Sequence, residues 1–412
     1  MKCGLLGEKL GHSYSPQIHA ELADYDYRLY ERRPEEVEQF VRYGDWRGMN
    51  VTIPYKKTVM QYCSELSDTA RKIGAVNTLL KRDDGTIYGD NTDAFGFEIL
   101  LRSLRFDPAG QKALILGSGG ASAMAQAVLG GLGAKVFVIS RGGENNYENI
   151  KEKHADAALI VNTTPVGMYP KNGISPVDVR MFSSLKAVVD VVYNPARTAL
   201  MLQAEEMSIP FAGGLIMLVA QAKRSAEIFL GKEIPDSELD RIHRQLSFQM
   251  QNLILIGMPG SGKSTIAKML AERLSRPCFE ADQEIVRAAG MSIPDIFKAE
   301  GENGFRMRET EVLRELGKRS GAVISTGGGC ITRRENYPLL HQNGIVIRLR
   351  RDIDKLPKEG RPLSLKTDLN KMAEIRNPLY EAFADYTVDN NGSREQTVDC
   401  ILQHLKMSEK HE

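Results

Sequence analysis

The segment GMPGSGKS, residues Gly257–Ser264, is the strongest chemical signal in the chain. It fits the pattern G-x-x-x-x-G-K-[ST], in which glycines let backbone N–H groups surround phosphate oxygens. In such a turn the lysine neutralises the β- and γ-phosphates, the serine coordinates Mg²⁺, and the following helix N-terminus adds its positive end. The segment predicts an ATP site made of Gly257, Gly260, Ser261, Gly262, Lys263, Ser264 and Thr265, with Ser264 as the magnesium ligand.

Another glycine-rich turn, GSGGA, is the first of the two along the chain. It follows the apolar run Ala113–Leu116 and opens a helical pattern. This order is typical of a dinucleotide-binding turn. Arg141 stands at the end of the next apolar run. An acidic residue there would bind the ribose 2′-hydroxyl of NAD, whereas an arginine suits the 2′-phosphate of NADP. The predicted NADP-binding residues are therefore Gly117, Gly119, Gly120, Ala121 and Arg141.

Short β-branched runs alternate with helical patterns around both turns, which predicts an α/β protein with mostly parallel sheets. The two turns lie about 140 residues apart, so each is expected to open a nucleotide-binding domain of its own. We place the boundary near Ser247–Gln251, after the charged helix Asp236–Leu246. The candidate strands are Ala113–Leu116, Val136–Ile139, Leu159–Val161, Val188–Val191, Leu253–Ile256, Val323–Ser325 and Val346–Leu349.

Composition excludes several classes of partner. The chain has 412 residues, and 54 Lys+Arg against 53 Asp+Glu leave a net charge of +1. A chain with so little net charge has no global basic field for nucleic acid or for an anionic membrane. The five cysteines lack a metal-type spacing, which argues for a reducing compartment and against a structural zinc. We expect a cytoplasmic protein that binds small molecules, and the sequence leaves open whether it forms a homo-oligomer.

Downstream of GMPGSGKS, the second glycine turn along the chain, five further motifs occur in a fixed order: FEADQEI, GENGFRMRE, STGGG, GRPL and RNPLY. Together with the turn they resemble shikimate kinase over residues 250–412. The resemblance implies a P-loop domain with a parallel five-stranded sheet, and it implies these residue roles. Asp282 holds the substrate hydroxyls and accepts a proton, Arg306 and Arg376 clamp the carboxylate, Gly328 and Gly329 meet the substrate, and Arg361 closes over the transferred phosphoryl group.

The first 246 residues contain a different series: GHSYSP, NVTIPYKK, GAVNT, GDNTD, NTTPVGM, DVVYNP and GGLIMLVAQ. In this order the motifs resemble shikimate dehydrogenase, which implies two lobes, one of them a Rossmann-type NADP-binding lobe. The resemblance makes Lys56 and Asp93 the catalytic pair, and an ammonium beside the carbonyl oxygen can stabilise its charge and donate the proton. The implied substrate-binding residues are Ser13, Ser15, Asn50, Thr52, Lys56, Asn77, Asp93, Tyr193 and Gln221, and Thr164, Gly214 and Met217 line the nicotinamide site.

The sequence departs from both family patterns. The stretch between Arg141 and Asn162 is shorter than usual, and Gly142 and Gly143 replace residues that usually assist Arg141. His19–Ala20 stands where the dehydrogenase family usually has His–Asn. Glu280 replaces the usual aspartate near the Mg²⁺ shell, and the segment before Arg361 is short for a lid.

The two resemblances imply consecutive steps toward chorismate. One family reduces 3-dehydroshikimate to shikimate with NADPH, and the other phosphorylates shikimate at the 3-hydroxyl with ATP and Mg²⁺. We therefore expect a bifunctional enzyme with a dehydrogenase at 1–246, a short linker at 247–251 and a kinase at 252–412. Within the dehydrogenase, we expect a substrate lobe at 1–93 plus 214–246 and an NADP lobe at 94–213.

Two alternatives stay open from the residues. One is an NAD-dependent quinate/shikimate dehydrogenase joined to another small-metabolite kinase. Asp282, Arg306 and Arg376 argue against a kinase for nucleoside monophosphates, because they form a site for a carboxylate and hydroxyls. The other alternative is a regulatory binding protein with decayed enzyme domains. The presence of Lys56, Asp93, Lys263 and Asp282 argues against it, since these residues serve chemistry better than packing.

Overall fold

The computed structural model describes residues 1–11, 13–356 and 369–408. Within these residues the strands form three sheets, and the chain divides into two compact units. The first unit comprises Met1–Met168, Ile174–Tyr193 and Leu200–Gln245. The second comprises Tyr169–Gly173, Asn194–Ala199 and the chain from Leu246 onward.

The first sheet has six strands in the order β2-β1-β3-β5-β6-β4. Its middle pairs, β3–β5 and β5–β6, are antiparallel, a feature that the sequence did not predict. The turn DDG between β5 and β6 explains the second of them, because Gly85 has φ +81° and closes a tight hairpin. The elements are β1 (Lys2–Gly7), α1 (Ser15–Leu22), β2 (Asp26–Glu31), α2 (Val37–Tyr43), β3 (Gly48–Val51), β4 (Glu65–Leu66), α3 (Asp68–Ile73), β5 (Thr78–Lys81), β6 (Ile87–Asp90) and α4 (Thr92–Ser103).

The second sheet is parallel, with five strands in the order β11-β10-β9-β7-β8. Its central strands are apolar except at one end of each, and both of their faces pack against apolar clusters. The elements are β7 (Lys112–Leu116), α5 (Gly120–Gly131), β8 (Lys135–Ile139), α6 (Ile150–His154), β9 (Leu159–Asn162), β10 (Ala187–Asp190), α7 (Ala199–Glu206) and β11 (Phe211–Gly213).

Two helices, α8 (Leu215–Leu230) and α9 (Asp236–Met250), follow the second sheet. α8 packs closely against α4, since a Cβ added at Gly96 would lie 2.6 Å from the carbonyl oxygen of Met217. The predicted linker 247–251 stays a prediction as a domain boundary, and the structure adds that α9 continues through most of it. Ser247–Met250 contains neither glycine nor proline, so nothing local ends the helix, and one residue separates α9 from the next strand.

The third sheet is a parallel five-stranded sheet in the order β13-β14-β12-β15-β16. Helix α12 is interrupted at Gly301, where φ is +69°. Among the described residues no helix is long and apolar enough to cross a membrane. The elements are β12 (Asn252–Ile256), α10 (Lys263–Leu274), β13 (Cys278–Glu280), α11 (Ala281–Ala289), α12 (Ile293–Gly317), β14 (Val323–Ser325), α13 (Asn336–His341), β15 (Gly344–Arg350), α14 (Leu369–Phe383), β16 (Tyr386–Asp389) and α15 (Arg394–Ser408).

Candidate active sites

An ion pair joins Lys56 to Asp93 at one edge of the first sheet. Lys56 lies in the turn after β3, and Asp93 is the second residue of α4, directly after β6. β3 and β6 are both antiparallel to β5, so their carboxyl ends meet at the same edge. The Lys56 Nζ lies 2.6 Å from the Asp93 Oδ2, and the two side chains are 30% and 19% exposed. A half-buried ammonium oriented by a carboxylate can donate a proton to a substrate oxygen.

A buried polar network supports this edge. The Asn50 amide donates to the Ser225 Oγ at 2.7 Å, and its carbonyl oxygen accepts from the Tyr27 hydroxyl at 2.9 Å. The Asn77 Oδ1 accepts from the backbone N–H of Thr92 at 2.7 Å. Because Asn50 bonds within the protein at both ends of its carboxamide, it holds β3, β2 and α8 together. Direct substrate contacts of Asn50 and Asn77 stay predictions, and sequence reasoning missed Thr92 and Ser225 because single hydroxyls on helices carry no distinctive pattern.

The serine motif lies at the start of α1 and adjoins Tyr193. The backbone N–H of Ser15 donates to the Ser13 Oγ at 3.2 Å. Between the two serines, the Tyr14 ring packs edge-on against the Tyr193 ring, with centroids 6.1 Å apart. Burial raises the pKa of the Tyr193 hydroxyl, which keeps it protonated as a hydrogen-bond donor. The structure therefore brings the predicted residues Ser13, Ser15 and Tyr193 into one neighbourhood.

Two further predicted substrate residues make bonds inside the protein. The backbone N–H of Thr52 donates to the Leu6 carbonyl at 2.9 Å, which fixes the turn that carries Lys56. The Gln221 Nε2 donates to the Leu218 carbonyl at 2.8 Å. A Cβ added at Gly96 would lie 3.2 Å from the Gln221 Cβ, so Gln221 sits where α8 meets the helix that begins beside Asp93.

The first glycine turn lies against the carboxyl ends of β8 and β9. Gly117 has φ +107°, and its N–H donates to the Ile139 carbonyl at 2.8 Å. A Cβ added at Gly117 would lie 2.9 Å from the Thr164 side chain. Thr164 thus lies beside the turn, and its place in the nicotinamide site stays a prediction. Arg141 is an exposed residue just beyond β8.

The geometry of this turn fits the pyrophosphate of a dinucleotide. α5 begins at Gly120, and a Cβ added at Gly119 or Gly120 would have no atom within 4 Å. The helix N-terminus is therefore open to a close phosphate approach, and Ala121 lies in its first turn. Gly214 is glycine for a packing reason, because an added Cβ would lie 2.0 Å from the Val191 carbonyl oxygen. Met217 is partly buried on α8 beside Gly96.

A cavity of about 660 Å³ in the second unit contains the second glycine turn. The Lys263 Nζ donates to the carbonyls of Gly257 at 2.9 Å and Met258 at 3.1 Å. The Ser264 Oγ lies 3.4 Å from the Ser325 Oγ. The cavity is lined by Pro259, Gly260, Gly262, Lys263, Ser264, Thr265, Asp282, Ile293, Pro294, Phe297, Phe305, Arg306, Glu309, Thr326, Gly327, Gly328, Gly329, Arg351 and Arg376.

The residues of this turn fit a nucleoside triphosphate with Mg²⁺. Gly257, Gly260 and Gly262 all have positive φ, and the buried Ser261 Oγ has no hydrogen-bond partner among the described residues. Those residues contain no cluster of three or more His, Cys, Asp or Glu side chains that could hold a metal. Beside nucleotides, Mg²⁺ is usually held by one or two protein oxygens, water and phosphates, and the Ser264 hydroxyl at this turn is an oxygen of that kind.

The predicted place of Glu280 near the magnesium shell stays a prediction. Its Oε1 lies 2.7 Å from the Lys268 Nζ, so a cation on α10 pairs with the carboxylate. Lys268 is one turn beyond Ser264 on that helix, and this neighbour was not considered from sequence. Arg361, the predicted lid arginine, lies outside the described residues.

The predicted substrate residues of the kinase converge on the same cavity. Asp282 is the second residue of α11, and the Arg376 Nη1 donates to the Gly328 carbonyl at 3.2 Å. The Arg306 Nη1 donates to the Glu309 Oε2 at 2.6 Å. Burial raises the pKa of the Glu309 carboxyl, and the Arg306 cation opposes that shift. Sequence reasoning missed Glu309, although its i,i+3 spacing from Arg306 on a helix was a usable signal.

The glycine triplet after β14 lets backbone pass between these charged groups. A Cβ added at Gly327 would lie 2.4 Å from the Glu309 Oε1 and 3.1 Å from the Asp282 Oδ1. A Cβ added at Gly329 would lie 2.1 Å from the Arg306 Nη2. Any side chain at either position would displace an acidic or basic group of the site.

Comparison with known proteins agrees with both halves. Residues 5–79 match the family described as the shikimate dehydrogenase substrate binding domain, and residues 259–406 match the family described as shikimate kinase. A shikimate dehydrogenase (NADP(+)) of Clostridium beijerinckii is 36% identical over 247 residues, which is 55% of this chain and 90% of the relative.

Solved structures resemble the first part of the chain. Shikimate dehydrogenase 1 from Peptoclostridium difficile is 37% identical, with a TM-score of 0.55, and the match covers 60% of this chain and 97% of that one. A chorismate mutase/shikimate 5-dehydrogenase fusion protein from Clostridium acetobutylicum is also 37% identical, with a TM-score of 0.56 and coverage of 60% and 96%. The chain belongs to the shikimate dehydrogenase family, and in its second part it carries a shikimate kinase domain.

Proposed function

We propose that this protein reduces 3-dehydroshikimate to shikimate with NADPH and then phosphorylates shikimate at the 3-hydroxyl with MgATP. The observation that carries the proposal is the presence, in one chain, of the Lys56–Asp93 pair and of a phosphate-binding turn that shares a cavity with Asp282, Arg306 and Arg376. The product of the first reaction is the substrate of the second. Two sites with matching chemistry therefore support a bifunctional enzyme with small-molecule substrates.

In the reductase reaction the chain supplies proton transfer and substrate orientation. NADPH, when bound, supplies a hydride to the carbonyl carbon. Lys56 stabilises negative charge on the carbonyl oxygen and donates a proton to it. Asp93, at 2.6 Å, holds the ammonium in place, and its second oxygen is available to accept a substrate hydroxyl. Ser13, Ser15 and Tyr193 are proposed to bind the substrate carboxylate through their hydroxyls.

The cofactor preference is proposed from the first glycine turn and Arg141. The turn at Gly117–Ala121 would hold the pyrophosphate, and the guanidinium would pair with the 2′-phosphate of NADP. Relatives named shikimate dehydrogenase (NADP(+)) support that preference. The rival, an NAD-dependent quinate/shikimate dehydrogenase, predicts comparable kcat/KM with NADH and oxidation of quinate as well as shikimate.

In the kinase reaction the chain positions the acceptor and neutralises charge. MgATP, when bound, supplies the transferred phosphoryl group. Arg306 and Arg376 would hold the shikimate carboxylate, while Asp282 would orient the 3-hydroxyl and accept its proton. Lys263 would neutralise phosphate oxygens, and Ser264 would bind the magnesium ion.

The decisive experiment incubates the chain with 3-dehydroshikimate, NADPH and MgATP and identifies products by mass. We expect a product that has gained two hydrogen atoms and one phosphoryl group. Without MgATP the product should be shikimate alone, and without NADPH added shikimate should still be phosphorylated. Consumption of NADPH without any phosphorylated product would support the dehydrogenase half of the proposal and overturn the kinase half.

The role of Asp282 has its own test. Asp282→Asn should remove the proton acceptor and lower shikimate phosphorylation by about 10²–10⁴-fold. Its MgATP affinity, measured by calorimetry, should stay near the parent value, because Asp282 lies outside the glycine turn. An equal loss of affinity for MgATP would assign Asp282 to the metal site instead.

A further inference from the structure

Among the described residues, four cationic side chains line the kinase cavity, and one of them has no role in the proposed reaction. Lys263 belongs to the glycine turn, and Arg306 and Arg376 belong to the proposed carboxylate clamp. The fourth is Arg351, which follows directly after β15. Neither its motif context nor the family resemblance pointed to it.

Arg351 differs from the other arginines of its own segment. The Arg348 guanidinium donates to the Glu381 Oε1 at 2.9 Å and to the Asn377 Oδ1 at 2.7 Å. The Arg350 Nη2 lies 3.4 Å from the Asp389 Oδ2. Within the described part of the chain no acid or carbonyl bonds to Arg351, and its Nε is buried without a hydrogen-bond partner. Buried donors are nearly always paired, so this guanidinium is expected to pair with something that enters the cavity.

The backbone on both sides of Arg351 is tied to the glycine turn. The Asn390 N–H donates to the Arg350 carbonyl at 2.8 Å, and the Asp352 N–H donates to the Asn391 Oδ1 at 2.9 Å. The Asn390 side chain in turn donates to the Ser261 carbonyl at 2.6 Å. These bonds hold the base of Arg351 at a set position relative to the turn, which is the arrangement of a preorganised charge.

The charge distribution favours a phosphate as the partner of Arg351. Arg306 and Arg376 already face the position proposed for the substrate carboxylate, whereas Lys263 is the one lysine or arginine that the glycine turn itself supplies. β15 runs beside that turn, since a Cβ added at Gly257 would lie 2.5 Å from the Leu349 carbonyl oxygen. A planar guanidinium suits bidentate pairing with phosphate oxygens.

We propose that Arg351 binds the phosphate chain of the nucleotide and is a second phosphate-binding cation of the kinase site. This inference rests on the proposed kinase function. The side chain neutralises phosphate charge together with Lys263, the magnesium ion and the predicted lid residue Arg361. It acts from a strand end that the surrounding hydrogen bonds hold in place, so it is present before the nucleotide binds.

Calorimetry on the full chain tests the assignment with two probes, MgADP and magnesium tripolyphosphate, which lacks the base and the ribose. Arg351→Met should weaken both by on the order of tenfold to a hundredfold, the usual range for a charge-assisted hydrogen bond. The matched control is Arg350→Met, which removes the neighbouring, surface-paired arginine and should change neither affinity by more than about threefold. Arg351→Lys keeps the charge and should fall between Arg351→Met and the parent.

The outcomes separate this inference from the proposed function. Failure of the unmodified chain to bind MgADP overturns the kinase function and the inference together. Parent-like affinity of Arg351→Met for both probes overturns the inference alone. A loss for MgADP with parent-like affinity for magnesium tripolyphosphate overturns it too, since the side chain would then contact the base or the ribose. If Arg351→Met does not fold, judged by lost helical circular dichroism and solubility, Arg351→Lys and Arg351→Gln decide by the same criteria.

Discussion

The two glycine turns of this chain are built differently, although both precede a helix and both are proposed to bind phosphates. In the second turn Gly262 has φ +95°, and an added Cβ would lie 2.7 Å from the Asn390 Nδ2. In the first turn Gly119 has φ −84°, and an added Cβ would have no atom within 4 Å. The second turn is therefore enclosed by its own protein at Gly262, whereas the first turn is open at Gly119, next to its helix N-terminus.

This difference separates two ways of binding a phosphate. The second turn carries the buried Lys263, whose ammonium donates to the carbonyls of Gly257 and Met258. Its charge and its backbone geometry are therefore set before the ligand binds. The first turn offers open space at a helix N-terminus, and the exposed Arg141 lies just beyond β8. The bound ligand itself must therefore fill the open space. A substitution in the second turn should therefore lower the stability of the protein. A substitution at the open end of the first turn should instead weaken binding of the ligand.

The largest effect is expected where chemistry rather than phosphate binding is removed. Lys56→Met should lower 3-dehydroshikimate reduction by about 10²–10⁴-fold, since the proton donor is lost while the glycine turn is untouched. NADPH oxidation with saturating substrate measures the change, and cofactor fluorescence should report an unchanged NADPH affinity.

The control is the other activity of the same variant. Shikimate phosphorylation by Lys56→Met should equal that of the parent, and Lys263→Met should give the reverse pattern. A fall in reduction of less than tenfold would contradict the role of Lys56.

A pair of glycine substitutions tests the comparison directly. Gly262→Ala forces a side chain into a left-handed conformation against Asn390, which should cost about 1–3 kcal/mol of stability and weaken MgADP. Gly119→Ala should leave the thermal unfolding midpoint unchanged but raise the KM for NADPH, because its methyl group occupies space for the pyrophosphate. Scanning calorimetry and kinetics measure both. If Gly119→Ala destabilises as much as Gly262→Ala, the distinction between an open and an enclosed turn is wrong.

A smaller effect on cofactor binding is expected at Arg141, the exposed arginine just beyond β8. Arg141→Ala should raise the KM for NADPH about tenfold, near the lower limit for a hydrogen bond to a charged group. The KM for NADH should hardly change, because that cofactor lacks the 2′-phosphate. Equal kcat/KM for NADPH and NADH in the unmodified enzyme would argue for the NAD-dependent alternative.

The first unit should also respond to acid through His19. Burial lowers the pKa of His19 to about 3, so the folded state keeps it neutral while the unfolded chain takes up a proton below about pH 6.5. Acid therefore favours unfolding, and stability should fall by up to about 1.4 kcal/mol per pH unit as pH drops from 6.5 towards 3. Urea titrations followed by Trp46, the single tryptophan and a core residue of the first unit, measure the slope. His19→Gln should flatten it, and an unchanged slope would exclude His19 as the cause.

Much of the fold follows from local pattern. The runs Ala113–Leu116, Val136–Ile139 and Leu253–Ile256 each lie within a strand. The first and the third are continuous apolar segments that are buried on both faces of a parallel sheet, whereas Val136–Ile139 belongs to the partly buried edge strand β8. The antiparallel pairs of the first sheet were missed, since its strands are short and their apolar residues are interrupted by polar ones. The continuation of α9 through the expected linker was missed as well, because a domain boundary was inferred from the motifs beside it.

The sequence alone determined the residue types of both sites and the order of their motifs, because a glycine turn or a motif is written in neighbouring residues. Only the tertiary structure decided which distant groups pair. It joins Asn50 to Ser225, engages Glu280 with Lys268, and leaves Arg351 facing the kinase cavity. Such pairings depend on which strand ends and helix faces meet in the folded chain. A backbone preference can be read from the local residues, whereas a long-range contact cannot be read from either partner alone.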